Sequence, residues 1–75
     1  MLLLGLMAEG ERGEIVAGRR AGRVDDRAEE LGLRAGNVVT VLRNSAGPLL
    51  VKVEESRIAL DRAIAMRIEV RRKTE

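Results

Sequence analysis

The chain has no cysteine, no histidine and no aromatic residue in its 75 positions. Without cysteine there are no disulfides and no thiolate metal sites, and without histidine no imidazole sites. The same absences take away the usual parts of a serine triad, a thiol nucleophile and a zinc-activated water, so the expectation is that the protein is not an enzyme. Without Phe, Tyr or Trp it has no platform on which single-stranded bases could stack. A formal charge of +2 is also small for an electrostatic footprint on nucleic acid, and no nucleic-acid partner is expected.

A long hydrophobic run is missing too. The opening MLLLGLM is interrupted by Gly5 and ended by Glu9, lacks a basic leader, and is too short to span a bilayer. The expectation is a cytoplasmic protein with no direct membrane insertion. Leu2, Leu3, Leu4, Leu6 and Met7 nevertheless exceed what one strand of a small domain needs. They are expected chiefly to close one end of the core, and contact with a second copy, a homo-oligomer, is the alternative.

The length suits one domain, residues 1–75, with a core from about 3 to 70 and a basic tail, 71–75, that frays into solvent. A domain of this size buries only roughly 60–65% of its unfolded surface. Of the 14 basic residues only Lys52 and Lys73 are lysine. Arg19, Arg20, Arg23 and Arg27 lie close together, and guanidinium groups so placed suit phosphates or an acidic partner surface, although a basic cluster also serves simply to solvate a turn.

Glycine supplies the punctuation. Gly10, Gly13, Gly18, Gly22, Gly32, Gly36 and Gly47 divide the chain into pieces of strand length, the pattern of a small barrel or sandwich. Residues 14–17 read as a first strand with Ile15 inward. Val24, Ala28 and Leu31 then fall at i, i+4 and i+7, a narrow stripe on a short helix. Asp25 and Asp26 lie near its start, and Gly32 is placed as a left-handed cap. Asn37-Val38-Val39-Thr40-Val41-Leu42 alternates, residues 44–48 form a turn, and Leu49, Val51 and Val53 alternate with Leu50, Lys52 and Glu54, which together read as a β-hairpin. Ile58 and Leu60 mark a further short strand and residues 61–65 a single helical turn. Met66, Ile68 and Val70 alternate with Arg67, Glu69 and Arg71 in a final strand.

These residues carry a resemblance. Leu3, Gly10 and Ile15, then Arg27, Leu31-Gly32-Leu33 and Ala35-Gly36, then Gly47-Pro48, Ile58-Ala59-Leu60, Ala65, Ile68 and Val70 follow in order and spacing the pattern of the FeoA family. The likeness covers about residues 3–70. It departs from the pattern where Ala28 replaces a leucine, Ala35 a proline and Ser56 a glycine.

The resemblance implies a mainly β fold, an SH3-like barrel of about five short strands, with one short helix between the first two strands and a helical turn before the last. It implies a cytosolic accessory or regulatory protein of ferrous iron transport. Its partner would be the cytosolic, GTP-binding part of FeoB, a membrane transporter, which would keep it at the inner face of the cell membrane. The surface expected to meet that partner is Arg19, Arg20, Arg23, Arg27 and Ala28, and no catalytic, cofactor or metal residue is expected. One of those arginines supplied to the GTPase in trans is a sharper version of the same contact.

FeoA-like domains also resemble the C-terminal modules of metal-dependent repressors. The alternative reading is therefore a transition-metal-binding or iron-sensing module, with ferrous iron or another divalent metal held by carboxylates alone. The available carboxylates are Glu9, Glu11, Glu14, Asp25, Asp26, Glu29, Glu30, Glu54, Glu55, Asp61, Glu69 and Glu75. Exposed carboxylates more often solubilise than coordinate, so no resident cofactor is the expectation.

Overall fold

Alternation of apolar and polar residues becomes strand wherever it is strongest. In the computed structural model, which describes residues 2–16 and 30–73, β1 is Leu2–Leu3, β2 is Arg12–Ile15, β3 is Val38–Arg43, β4 is Leu49–Val53, β5 is Ser56–Leu60 and β6 is Glu69–Lys73. A 3-10 turn, Leu4–Leu6, follows β1, and a one-turn helix α1, Arg62–Ala65, precedes β6. All pairings are antiparallel, in a single sheet of order β1-β6-β2-β3-β4-β5.

With so little helix among the described residues to cover it, the sheet buries its apolar face by curling on itself. The core draws on every strand but β1: Ile15 from β2, Val39 and Val41 from β3, Leu49, Val51 and Val53 from β4, Leu60 from β5 and Val70 from β6. Leu4, Met7, Leu33, Ala65 and Ile68 complete it. Its near-equal extents, 29 × 27 × 24 Å, are those of a small closed body, not of a flat sheet. The fold is the mainly β, SH3-like barrel expected from the sequence.

The central hairpin forms as the alternation predicts. Val39 faces Val53 and Val41 faces Val51, all four buried, and a bulge at Leu42 brings Arg43 opposite Leu50. An extra residue at a bulge sharpens strand twist, which a small barrel needs.

Four expectations are corrected. The described residues form six strands instead of about five, because part of the N-terminal apolar run pairs with β6 through Leu2↔Val70 and Leu3↔Glu69. The first strand of the barrel proper is Arg12–Ile15 and not residues 14–17. Residues 71–73 do not fray, because Arg71, Arg72 and Lys73 pair with Glu14, Gly13 and Arg12 of β2, with Glu11 and Glu14 holding the side chains of Arg72 and Lys73 at 2.9 and 3.8 Å. Met66 belongs to the end of α1 instead of the last strand.

The N-terminal run does close the core: Leu4 and Met7 are fully buried, while Leu6 is 63% exposed. Met7 is accommodated by a missing side chain. A Cβ at Gly13 would stand 3.2 Å from the Met7 Sδ and Cε and 3.1 Å from the Val70 Cβ, so β2 carries glycine where the methionine thioether crosses it.

Candidate interaction surface

The segment after the helix stripe is anchored by glycine geometry and backbone hydrogen bonds. Leu31 is half-buried against the core, and Leu33 is buried within it. Gly32 between them takes φ +97°, a conformation costly for any residue with a Cβ, so the chain turns into the barrel there. The Gly32 carbonyl accepts a hydrogen bond from Asn37 Nδ2 at 2.7 Å. Gly36 N–H donates to the Ile15 carbonyl at 2.8 Å, and Ile15 N–H donates to the Asn37 carbonyl at 2.9 Å, tying the turn to the end of β2. These bonds therefore fix the chain to the barrel from Gly32 onward.

The residues expected to meet a partner, Arg19, Arg20, Arg23, Arg27 and Ala28, lie outside the described residues, as does the helix start at Asp25 and Asp26. The chain leaves the described barrel at Val16 beside an open groove lined by Leu2, Val16, Glu69, Val70, Arg71 and Arg72. Among the described residues no three carboxylates converge in a geometry that could hold a metal ion. None of the described helices is long and apolar enough to cross a membrane.

Sequence reasoning passed over a polar cluster at the opposite end. Arg62, at the start of α1, donates from Nη2 to Asn44 Oδ1 at 2.8 Å and to the carbonyls of Ser45 and Gly47 at 2.6 and 3.1 Å, with Nη1 3.4 Å from the Gly5 carbonyl. Asn44 in turn donates from Nδ2 to the Met7 and Gly5 carbonyls at 2.6 and 3.3 Å, and its N–H donates to Glu9 Oε2 at 2.9 Å. One guanidinium thus locks the β3–β4 turn and α1 onto the N-terminal segment. Its partners are mostly backbone carbonyls, which leave no mark in the sequence.

The FeoA domain family matches residues 2–72. The chain belongs to the FeoA family. Solved FeoA structures agree in detail. An iron uptake regulatory protein, FeoA, superposes with a TM-score of 0.89 at 26% identity over 96% of this chain and 97% of that one. FeoA from Chlorobium tepidum gives 0.85 at 25% identity over 97% of this chain and 71% of that one. FeoA from Stenotrophomonas maltophilia, solved with zinc and described as a procaryotic SH3 domain protein, gives 0.78 at 26% identity over 93% of this chain and 89% of that one. A manganese-dependent transcriptional repressor shares the fold at 17% identity, this FeoA-family chain spanning 41% of it. No curated protein sequence matches the chain. The sequence-based assignment to FeoA therefore stands, as does ferrous iron transport as the process in which its structural relatives are named.

Proposed function

We propose that this FeoA-family chain is a cytoplasmic accessory protein that regulates ferrous iron transport by binding the cytosolic, GTP-binding part of an FeoB-type membrane transporter. The observation that carries the reading is the family match across nearly the whole chain, residues 2–72. The physical contribution is a small barrel that presents a surface and performs no chemistry of its own. Arg19, Arg20, Arg23, Arg27 and Ala28 form the proposed contact. Iron is the cargo of the process and not a resident ligand of this chain.

The test is co-purification of the tagged chain with the transporter from native membranes, followed by titration of the isolated GTP-binding domain. Saturable binding, weakened when Arg19, Arg20, Arg23 and Arg27 are replaced by alanine, is the expected result. Absence of binding at saturating concentration refutes the reading. Single-turnover GTP hydrolysis in the same samples separates docking from an arginine supplied in trans, since only the latter accelerates the chemical step.

A further inference from the structure

Strand register brings together basic residues that are far apart in sequence. Lys73 of β6 stands opposite Arg12 of β2, Arg12 opposite Thr40 of β3, Thr40 opposite Lys52 of β4, and Lys52 opposite Arg57 of β5. Directly opposed residues share a face of the sheet. This face is the outer one, because the neighbours Gly13, Val39, Val41, Val51 and Val53 point into the core. The result is a row across five strands in which four of five positions are cationic and the central one is a threonine. At about 4.8 Å between strands the row runs roughly 19 Å along the curved outer surface of the sheet, with Thr40, Lys52 and Arg57 on the adjacent strands β3, β4 and β5.

The arrangement is costly for folding alone, since like charges directly opposed across strands repel, and here Lys73 faces Arg12 and Lys52 faces Arg57. Lys52 and Arg57 are exposed and, among the described residues, neither has an ion-pair partner. Lys73 lies 3.8 Å from Glu14 and keeps 44% of its side chain exposed. Arg12 is half-buried and engaged in interactions of its own. Half-buried Leu42 and Leu50 flank the row on one side and Val38 on the other.

We infer that this row is a docking surface for an acidic, extended peptide segment of a partner protein. An extended segment of about three or four residues, whose alternate side chains fall on one face at about twice the 3.3 Å rise, can lie along Thr40, Lys52 and Arg57. Guanidinium and ammonium groups pair with its carboxylates, and the flanking aliphatic groups receive apolar side chains between them. The chain's lack of aromatic residues disfavours a single-stranded nucleic acid, which would have no base-stacking platform. Glu14, Glu54 and Glu69 around the row disfavour a flat anionic membrane, which would meet all three. Taken as the second contact of the proposed transporter complex, the inference rests on that reading for the identity of the partner. The row itself does not depend on it.

The test uses the full chain and a fluorescein-labelled alternating glutamate–leucine peptide, read by anisotropy at low salt, with an oligothymidine and phosphatidylserine vesicles in parallel. Saturable peptide binding is expected, weakened roughly tenfold or more by the pair Lys52→Glu and Arg57→Glu. The equally charge-changing pair Arg34→Glu and Arg67→Glu, at exposed positions off the row, should weaken it less than about twofold by long-range charge alone. Lys52→Glu by itself should raise the melting midpoint, by giving Arg57 an opposite charge, while weakening the peptide; loss of fold cannot produce that combination. Equal losses from the two pairs, or no peptide binding, overturn the proposal. So does tighter binding of the oligothymidine or the vesicles with the same dependence on Lys52 and Arg57. If the transporter's GTP-binding domain binds the chain equally well after Lys52→Glu and Arg57→Glu, the row is refuted as its contact and the proposed function stands. If the row binds peptide but the chain does not bind that domain, the function is refuted and the row stands.

Discussion

Replacing Arg62 by methionine keeps most of the aliphatic stem and removes the guanidinium that joins α1, the β3–β4 turn and the N-terminal segment. The contacts of Nη2 to Asn44 Oδ1, Ser45 and Gly47, which share its two N–H groups, are lost together with the longer contact to Gly5. The Ser45 and Gly47 carbonyls are exposed and regain water, so those two bonds return little. The Asn44 Oδ1 contact is part-buried, and a charge-assisted hydrogen bond there is worth about 1.5–3 kcal/mol when its acceptor is left unmet, whereas the Gly5 carbonyl keeps Asn44 Nδ2 at 3.3 Å. The expected net loss is about 2 kcal/mol. Against a total of roughly 4–11 kcal/mol for a domain of this size, that is a large fraction. At roughly 4–8 °C per kcal/mol the melting midpoint should fall by about 8–16 °C, read by circular dichroism at 222 nm with urea unfolding as a cross-check. Arg62→Lys should recover only part of the loss, since an ammonium cannot fork to the acceptors from one plane. A midpoint for Arg62→Met within about 2 °C of the parent, less than about 0.5 kcal/mol, refutes the claim that this guanidinium locks the β3–β4 turn and α1 onto the N-terminal segment.

Two further outcomes follow from the same structure. Gly13→Ala places a methyl group 3.1 Å from the Val70 Cβ and 3.2 Å from the Met7 Sδ. It should destabilise by about 1–2 kcal/mol in urea unfolding despite the entropic gain over glycine, and the cost should shrink when Met7→Val is combined with it. Additive effects in that double-mutant cycle would show that Met7 is not what excludes a side chain at Gly13. Anaerobic calorimetry with ferrous iron should give no saturable one-to-one heat, because the chain has no imidazole or thiolate and its described carboxylates do not converge; micromolar binding would contradict this.

The central hairpin was legible in sequence because period-2 alternation is a local signal, and Val39, Val41, Val51 and Val53 follow it without exception. The helical turn before β6 and the left-handed turn at Gly32 were legible for similar reasons, a short apolar repeat and a residue type. The pairing of Leu2 and Leu3 with β6 was not, because two residues carry no periodicity, and their partners are close to seventy positions away. Residues 71–73 read as a solvated tail because their side chains are charged, although it is their backbone that pairs with β2. The arginine cluster expected to meet a partner was legible as a cluster, and its placement lies outside the described residues.

By itself the sequence determined that the chain has no thiol, imidazole or aromatic chemistry, that its strands are short, and that its ordered glycines and aliphatics are those of the FeoA family. Only the tertiary structure decided which residues became neighbours. Met7 lies against Gly13, Arg62 reaches the carbonyls of the β3–β4 turn, and Lys73, Arg12, Lys52 and Arg57 line up across the sheet. The reason is physical. Burial patterns are encoded locally along each strand, whereas cross-strand neighbours are set by register, which forms only when the sheet curls around its core.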